Sequence, residues 1–81
     1  MAGTRVSDDT AERVLEVLKQ EADLEGVSTP STYYIGEKLG IVHQSVGVAI
    51  VKLVNMGKIE ILGKVGRGVS VIQILGEEYT R

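Results

Sequence analysis

Pro30-Ser31-Thr32-Tyr33-Tyr34-Ile35-Gly36-Glu37-Lys38-Leu39-Gly40-Ile41-Val42-His43-Gln44-Ser45-Val46 reads as a helix, a glycine turn and the start of a second helix. Thr29 before Pro30 predicts the helix start: a capping side chain, then proline at the first helical position, where its missing N–H costs nothing. Ile35 and Leu39, four apart, face one side, and Gly40 is a natural stop because it tolerates positive φ. Gly36 inside the helix costs roughly 1 kcal/mol against Ala. That cost makes sense if the next helix passes very close.

The pattern extends in both directions. Ser7 predicts an N-cap, with Asp8 and Asp9 in a first turn that favours acids. Ala11, Val14, Leu15, Leu18 and Ala22 then recur at three- and four-residue steps as one apolar stripe, and Gly26 is expected to end that helix. Val27 and Ser28 have room for a very short strand. Beyond the turn, a third helix should run from about His43 to Met56 and stop at Gly57. At about 100° per residue, Val46, Ala49, Ile50, Leu53 and Met56 share its core face. Its outward face carries Gln44, Val48, Val51, Lys52 and Asn55, flanked by Gly47 and Val54. Lys58–Leu62 and Val69–Leu75 are β-branched-rich runs joined by the glycine-rich segment Gly63–Gly68, which reads as a hairpin. The expected fold is α+β: three helices followed by a two-stranded β-hairpin, a helix-turn-helix with a wing. Residues 7–75 are expected to form that domain, with 1–6 and 76–81 as flanking tails.

Composition bounds the chemistry. Eighty-one residues at 43% hydrophobic allow one small domain with a modest core. There is no cysteine and one histidine, so disulfides, thiolate metal sites and histidine-pair chemistry are excluded, and no metal or cofactor is expected. Catalytic carboxylate pairs are not evident, because Asp8 and Asp9 are explained as helix-start acids. The glycine spacing of the hairpin tip does not make a nucleotide-cradling loop. An enzyme is therefore not expected. Without a leader-like apolar run, or a stretch of about 18 apolar residues, a cytoplasmic location is the expectation.

The net charge is −2 and the isoelectric point near 5.3, a poor balance for nonspecific nucleic-acid binding. The charge is uneven, however. Residues 1–40 carry four basic and eight acidic groups, whereas residues 41–75 carry Lys52, Lys58, Lys64 and Arg67 against Glu60 alone.

From Pro30 onward the pattern resembles the winged helix-turn-helix domains of GntR-type bacterial regulators. Residues 30–41 are similar to that family's Pro-Ser, variable, apolar, small, acidic, variable, Leu-Gly-apolar run. Val46, Ala49, Ile50 and Leu53 fall at its core positions, and Gly57, Ile59 and Glu60 match its exit. Gly66-Arg67-Gly68 resembles its wing tip, about two residues further along. The chain departs from the family where Val42 replaces a capping Ser, and where His43, Gly47 and Tyr33 stand in positions usually held by Arg.

The resemblance implies a small DNA-binding protein, a transcriptional regulator of a prokaryote, phage or plasmid, acting on double-stranded DNA as a homodimer. His43, Gln44 and Ser45 would enter the major groove with the first turn of the third helix, followed along it by Gly47, Val48 and Lys52. Those polar residues equally suit a solvated, capping helix start. Ser31, Thr32 and Tyr33 suit phosphate contact or ordinary capping and packing. Lys64, Arg67 and Gly68 on the wing suit phosphate, the minor groove or a solvated loop. Val48, Val51 and Val54 fit either thymine methyls or a protein interface, so a winged-helix protein-interaction module is the alternative. RNA binding is a third option.

Overall fold

The computed structural model describes residues 6–66 and 68–75. Helix α1 spans Asp8–Glu21, strand β1 Val27–Ser28, α2 Thr32–Leu39, α3 His43–Asn55, β2 Ile59–Gly66 and β3 Val69–Ile74. Helix α1 starts as its sequence dictates: the Ser7 hydroxyl accepts from the Thr10 N–H at 3.1 Å, and Asp8 and Asp9 occupy the first turn. It ends at Glu21, five residues before Gly26. Asp23 takes over the chain there, its carboxylate accepting from the Glu25 and Val27 N–H groups, and Gly26 supplies the positive φ that leads into β1.

Helix α2 begins two residues later than its Thr29-Pro30 pair suggests. Ser31 is the N-cap, accepting from the Tyr34 N–H at 3.0 Å. Gly40 closes the helix in the left-handed conformation, as expected. Gly36 is buried under the turn that follows. Its carbonyl accepts from the Ile41 N–H, and a Cβ at Gly36 would lie 2.6 Å from the Ile41 carbonyl oxygen. The close approach is therefore to the turn itself.

The sheet has three strands in the order β1-β3-β2, all antiparallel, so β1 joins the hairpin as a third strand. The wing is also more regular than its glycines imply. Where residues 63–68 were expected to loop, β2 continues to Gly66, and Lys64 pairs with Ser70. Register shifts after Ile61 and Lys64 leave Leu62 and Val65 as bulged residues, which twist the free edge of the sheet.

The core lies between the helices and one sheet face: Ala11, Val14, Leu15, Val17 and Leu18 from α1, Ile35 from α2, Val46, Ala49, Ile50 and Leu53 from α3, and Ile59, Ile72 and Ile74 from the sheet. Met56, expected among them, is 43% exposed. Val6, assigned to the N-terminal tail, packs against the core, and its carbonyl accepts from the Lys52 amine. The rest of the expected tails, residues 1–5 and 76–81, lie outside the described residues.

Candidate nucleic-acid interface

Three elements converge beside the first turn of α3. At the start of α2, Ser31 caps the helix and forms an isolated bridge with Val69, while the Thr32 N–H donates to the Gly68 carbonyl at 2.8 Å. The base of the wing tip is thus fastened to the α2 N-terminus. Gly68 has a φ of 72°, and a Cβ there would sit 3.0 Å from Thr32 Oγ1 and 3.3 Å from the Tyr33 ring. Glycine is needed for both the conformation and the space.

Tyr33 in turn stacks on His43, the first residue of α3, with ring centroids 4.1 Å apart and planes 26° from parallel. Tyr33 remains 52% exposed, so one aromatic pair links the two helices of the turn at the surface. Neighbouring Tyr34, also partly exposed, points elsewhere: its hydroxyl donates to Glu21 at 2.8 Å, and the Lys38 amine lies over its ring.

Along α3, Val42 is the N-cap and offers no side-chain hydrogen bond; neither His43 nor Ser45 takes over the role. Gln44 is exposed and Ser45 half-buried. Gly47 faces a groove of about 170 Å³ between α3 and the wing, lined also by Ile50, Val51, Lys64, Gly68 and Ser70. A Cβ at Gly47 would meet nothing within 4 Å. The structure therefore gathers Ser31, Thr32, Tyr33, His43, Gly47, Lys64 and Gly68 around one junction, with Gln44 and Ser45 on the adjoining turn. Arg67 lies outside the described residues.

Lys52, Val48, Val51 and Val54 are not part of this gathering. Lys52 turns toward the other end of the molecule, where its amine lies 3.0 Å from an Asp8 carboxylate oxygen and 3.3 Å from the Val6 carbonyl. Val54 packs against the core, which removes it from the exposed valine face. Val48 and Val51 remain on that face, with Asn55, Met56, Asp8 and Lys52 around a shallow groove of about 560 Å³.

The basic surplus of the second half is also smaller in space than along the chain. Lys52 reaches Asp8, and Lys58 lies 4.0 Å from Glu12, so two of its four cations lean on acids of α1. Lys64 makes no ion pair among the described residues. Neither ion pair follows from local sequence spacing, and the Tyr33–His43 pair, ten residues apart, was equally hidden from it.

Among the described residues no group of His, Asp or Glu is arranged to hold a metal ion, and no helix is long and apolar enough to cross a membrane. No protein-family model matches the chain, and none of the curated proteins matches it. A solved structure does: a MarR family regulator from Neisseria meningitidis, with a TM-score of 0.61 and 23% sequence identity over 84% of this chain. The match covers 44% of that regulator, so this chain corresponds to less than half of its length. At this identity the likeness concerns the fold, and it agrees with the element order above. The chain is a winged helix-turn-helix domain.

Proposed function

We propose that this domain binds double-stranded DNA as a transcriptional regulator, with α3 in the major groove and the wing on phosphate or in the minor groove. The observation that carries the reading is the junction at Tyr33, which holds the start of α2, the start of α3 and the wing tip in one fixed arrangement. These are the three parts through which a winged helix-turn-helix addresses a duplex. The fold neighbour is itself a regulator. The finer likeness to GntR-type regulators rests on the motif from Pro30 onward.

In this reading His43, Gln44, Ser45, Gly47 and Val48 meet the groove. Ser31, Thr32 and Tyr33 flank the backbone, and Lys64, Arg67 and Gly68 form the wing contact. Lys52, engaged with Asp8, contributes least. Residues 7–75, with Val6 packed against them, act as the binding unit, with 1–5 and 76–81 as tails. The protein works in the cytoplasm as a homodimer on paired half-sites, and uses neither catalysis nor a cofactor.

A second reading, a protein-interaction module, has its own observation. Val51 is 56% exposed beside Val48 and Met56, an apolar strip that phosphate contact does not require.

Fluorescence anisotropy with a varied duplex library at several salt concentrations tests the first reading. Affinity should fall steeply with salt, and Lys64→Ala and Arg67→Ala should each weaken binding and reduce the log–log slope by about 1. A folded protein that binds no duplex even at low salt refutes it.

A further inference from the structure

We propose that Tyr33 is a positioning residue: it holds the outer wing in place against α3, and only with that hold does Lys64 reach the duplex that α3 occupies. This rests on the DNA-binding reading, and it assigns Tyr33 a role distinct from contacting phosphate.

The outer wing needs support from outside the hairpin. Strands β2 and β3 pair in regular register from Ile59 to Ile61, opposite Ile72 to Ile74, and register shifts follow Ile61 and Lys64. Each bulge interrupts the ladder and bends the strand, so the base of the hairpin does not by itself fix where the outer part lies. The start of α2 supplies three contacts there. Ser31 bridges Val69, the Thr32 N–H donates to the Gly68 carbonyl at 2.8 Å, and the Tyr33 ring lies so close to Gly68 that a Cβ would sit 3.3 Å from it. Thr32 is the first residue of α2, where an N–H has no partner within the helix, so its donor is available for the wing.

Tyr33 carries this clasp on to α3. Its ring stacks on His43 at 4.1 Å, and the His43 backbone in turn abuts Gly36, where a Cβ would lie 3.5 Å from the His43 nitrogen. The ring therefore stands between the wing and the first residue of α3. On the wing side the contacts lead to a cation. Lys64 pairs across the ladder with Ser70, two residues from Gly68, and both line the groove that faces Gly47 and Val51 of α3. A displacement of Gly68 is thus a displacement of Lys64 relative to α3. The ring atoms of Tyr33, and not its hydroxyl, make these contacts, and Tyr33 is outside the buried core. Its replacement should disturb the junction more than the fold.

The experiment is a double-mutant cycle on the full chain, read by fluorescence anisotropy over a salt series with a duplex selected from a random library. In the wild type, Lys64→Ala should lower the log–log salt slope by about 1. Tyr33→Leu fills the space without stacking and removes no charge, yet it should lower the slope by a similar amount. The double variant should fall no further than either single one. Tyr33→Phe keeps the ring and should restore both the slope and its dependence on Lys64. Thr32→Pro opens the same clasp from its hydrogen-bonded side. Proline suits the first helical position, and Ser31 before it is already extended at ψ 158°, so α2 should survive while the Lys64 share is lost. Amide exchange in the free wild-type protein should show the Thr32 N–H protected, and in Tyr33→Leu exposed. Additive effects of Tyr33→Leu and Lys64→Ala overturn the inference, because the two residues then act separately. A Tyr33→Phe protein that behaves like Tyr33→Leu also overturns it, since the hydroxyl would then be the contact. A folded Thr32→Pro protein with the full Lys64 share overturns the clasp while salt-dependent DNA binding stands. Absence of duplex binding at low salt overturns the inference together with the reading beneath it.

Discussion

Gly36 is the residue where local preference and tertiary need conflict most sharply. Helix propensity favours alanine there by roughly 1 kcal/mol. The turn carbonyl of Ile41, 2.6 Å from where the methyl would sit, forbids it. Overpacking against backbone has no flexible side chain to absorb it, so Gly36→Ala should destabilise the domain by about 2 kcal/mol in denaturant unfolding. An unchanged midpoint would mean that the turn yields freely. The sequence hinted at this glycine's role but misplaced the obstacle, because the approach comes from the turn and not from the crossing helix. Ser28 presents the inverse case. It is 1% exposed in β1, and its hydroxyl has no hydrogen-bond partner among the described residues. Ser28→Ala should raise stability by about 1 kcal/mol, since it removes a desolvated group that gains nothing from the fold. A loss of stability on chemical denaturation would show that the hydroxyl is satisfied in solution.

At the scale of elements, helices were legible and the wing was only half so. The stripe of Ala11, Val14, Leu15 and Leu18, and that of Val46, Ala49, Ile50 and Leu53, are both buried as their period requires. The glycines at 63 and 66 suggested a loop, yet both sit within β2 because β3 pairs with them, and such pairing is not encoded locally. Helix boundaries moved for similar reasons: Asp23 captured the end of α1, and Ser31, tied to the wing, captured the start of α2. Helix α3 carries a further prediction at Gly47. Its open surroundings admit a side chain, so Gly47→Arg should fold stably and, on the proposed interface, tighten duplex binding while steepening its salt dependence by about 1 in log–log slope. Unchanged affinity would place Gly47 away from the duplex.

For the whole molecule, the arrangement of charge and apolar surface matters more than composition. The acidic first half and basic second half are stitched together, with Lys52 and Lys58 against α1, so the net dipole suggested by the chain is partly spent inside the domain. What remains near the junction is Lys64, together with residues that donate hydrogen bonds without full charge. This portion of the candidate site was legible by residue type, whereas its assembly depended on contacts between residues far apart in sequence. The valine face bears on assembly. If Val51 lies in the proposed homodimer, Val51→Asp should convert a dimer to a monomer in sedimentation while leaving thermal unfolding of the domain close to wild type. A dimer that persists would move the interface elsewhere.

The wing hairpin is anchored at Thr32–Gly68 and Ser31–Val69, and its strands stay paired to within two residues of the tip. A free arm would have to lose its conformational freedom each time it met a partner. Here that freedom has already been surrendered during folding, so an encounter draws little from the binding free energy to order the hairpin. The same anchoring sets a limit on adaptability: a ligand whose groove is wider or narrower than the fixed span between wing and α3 must deform itself to be held. Selectivity in such a molecule then comes partly from the stiffness of the partner, and not solely from the contacts made to it.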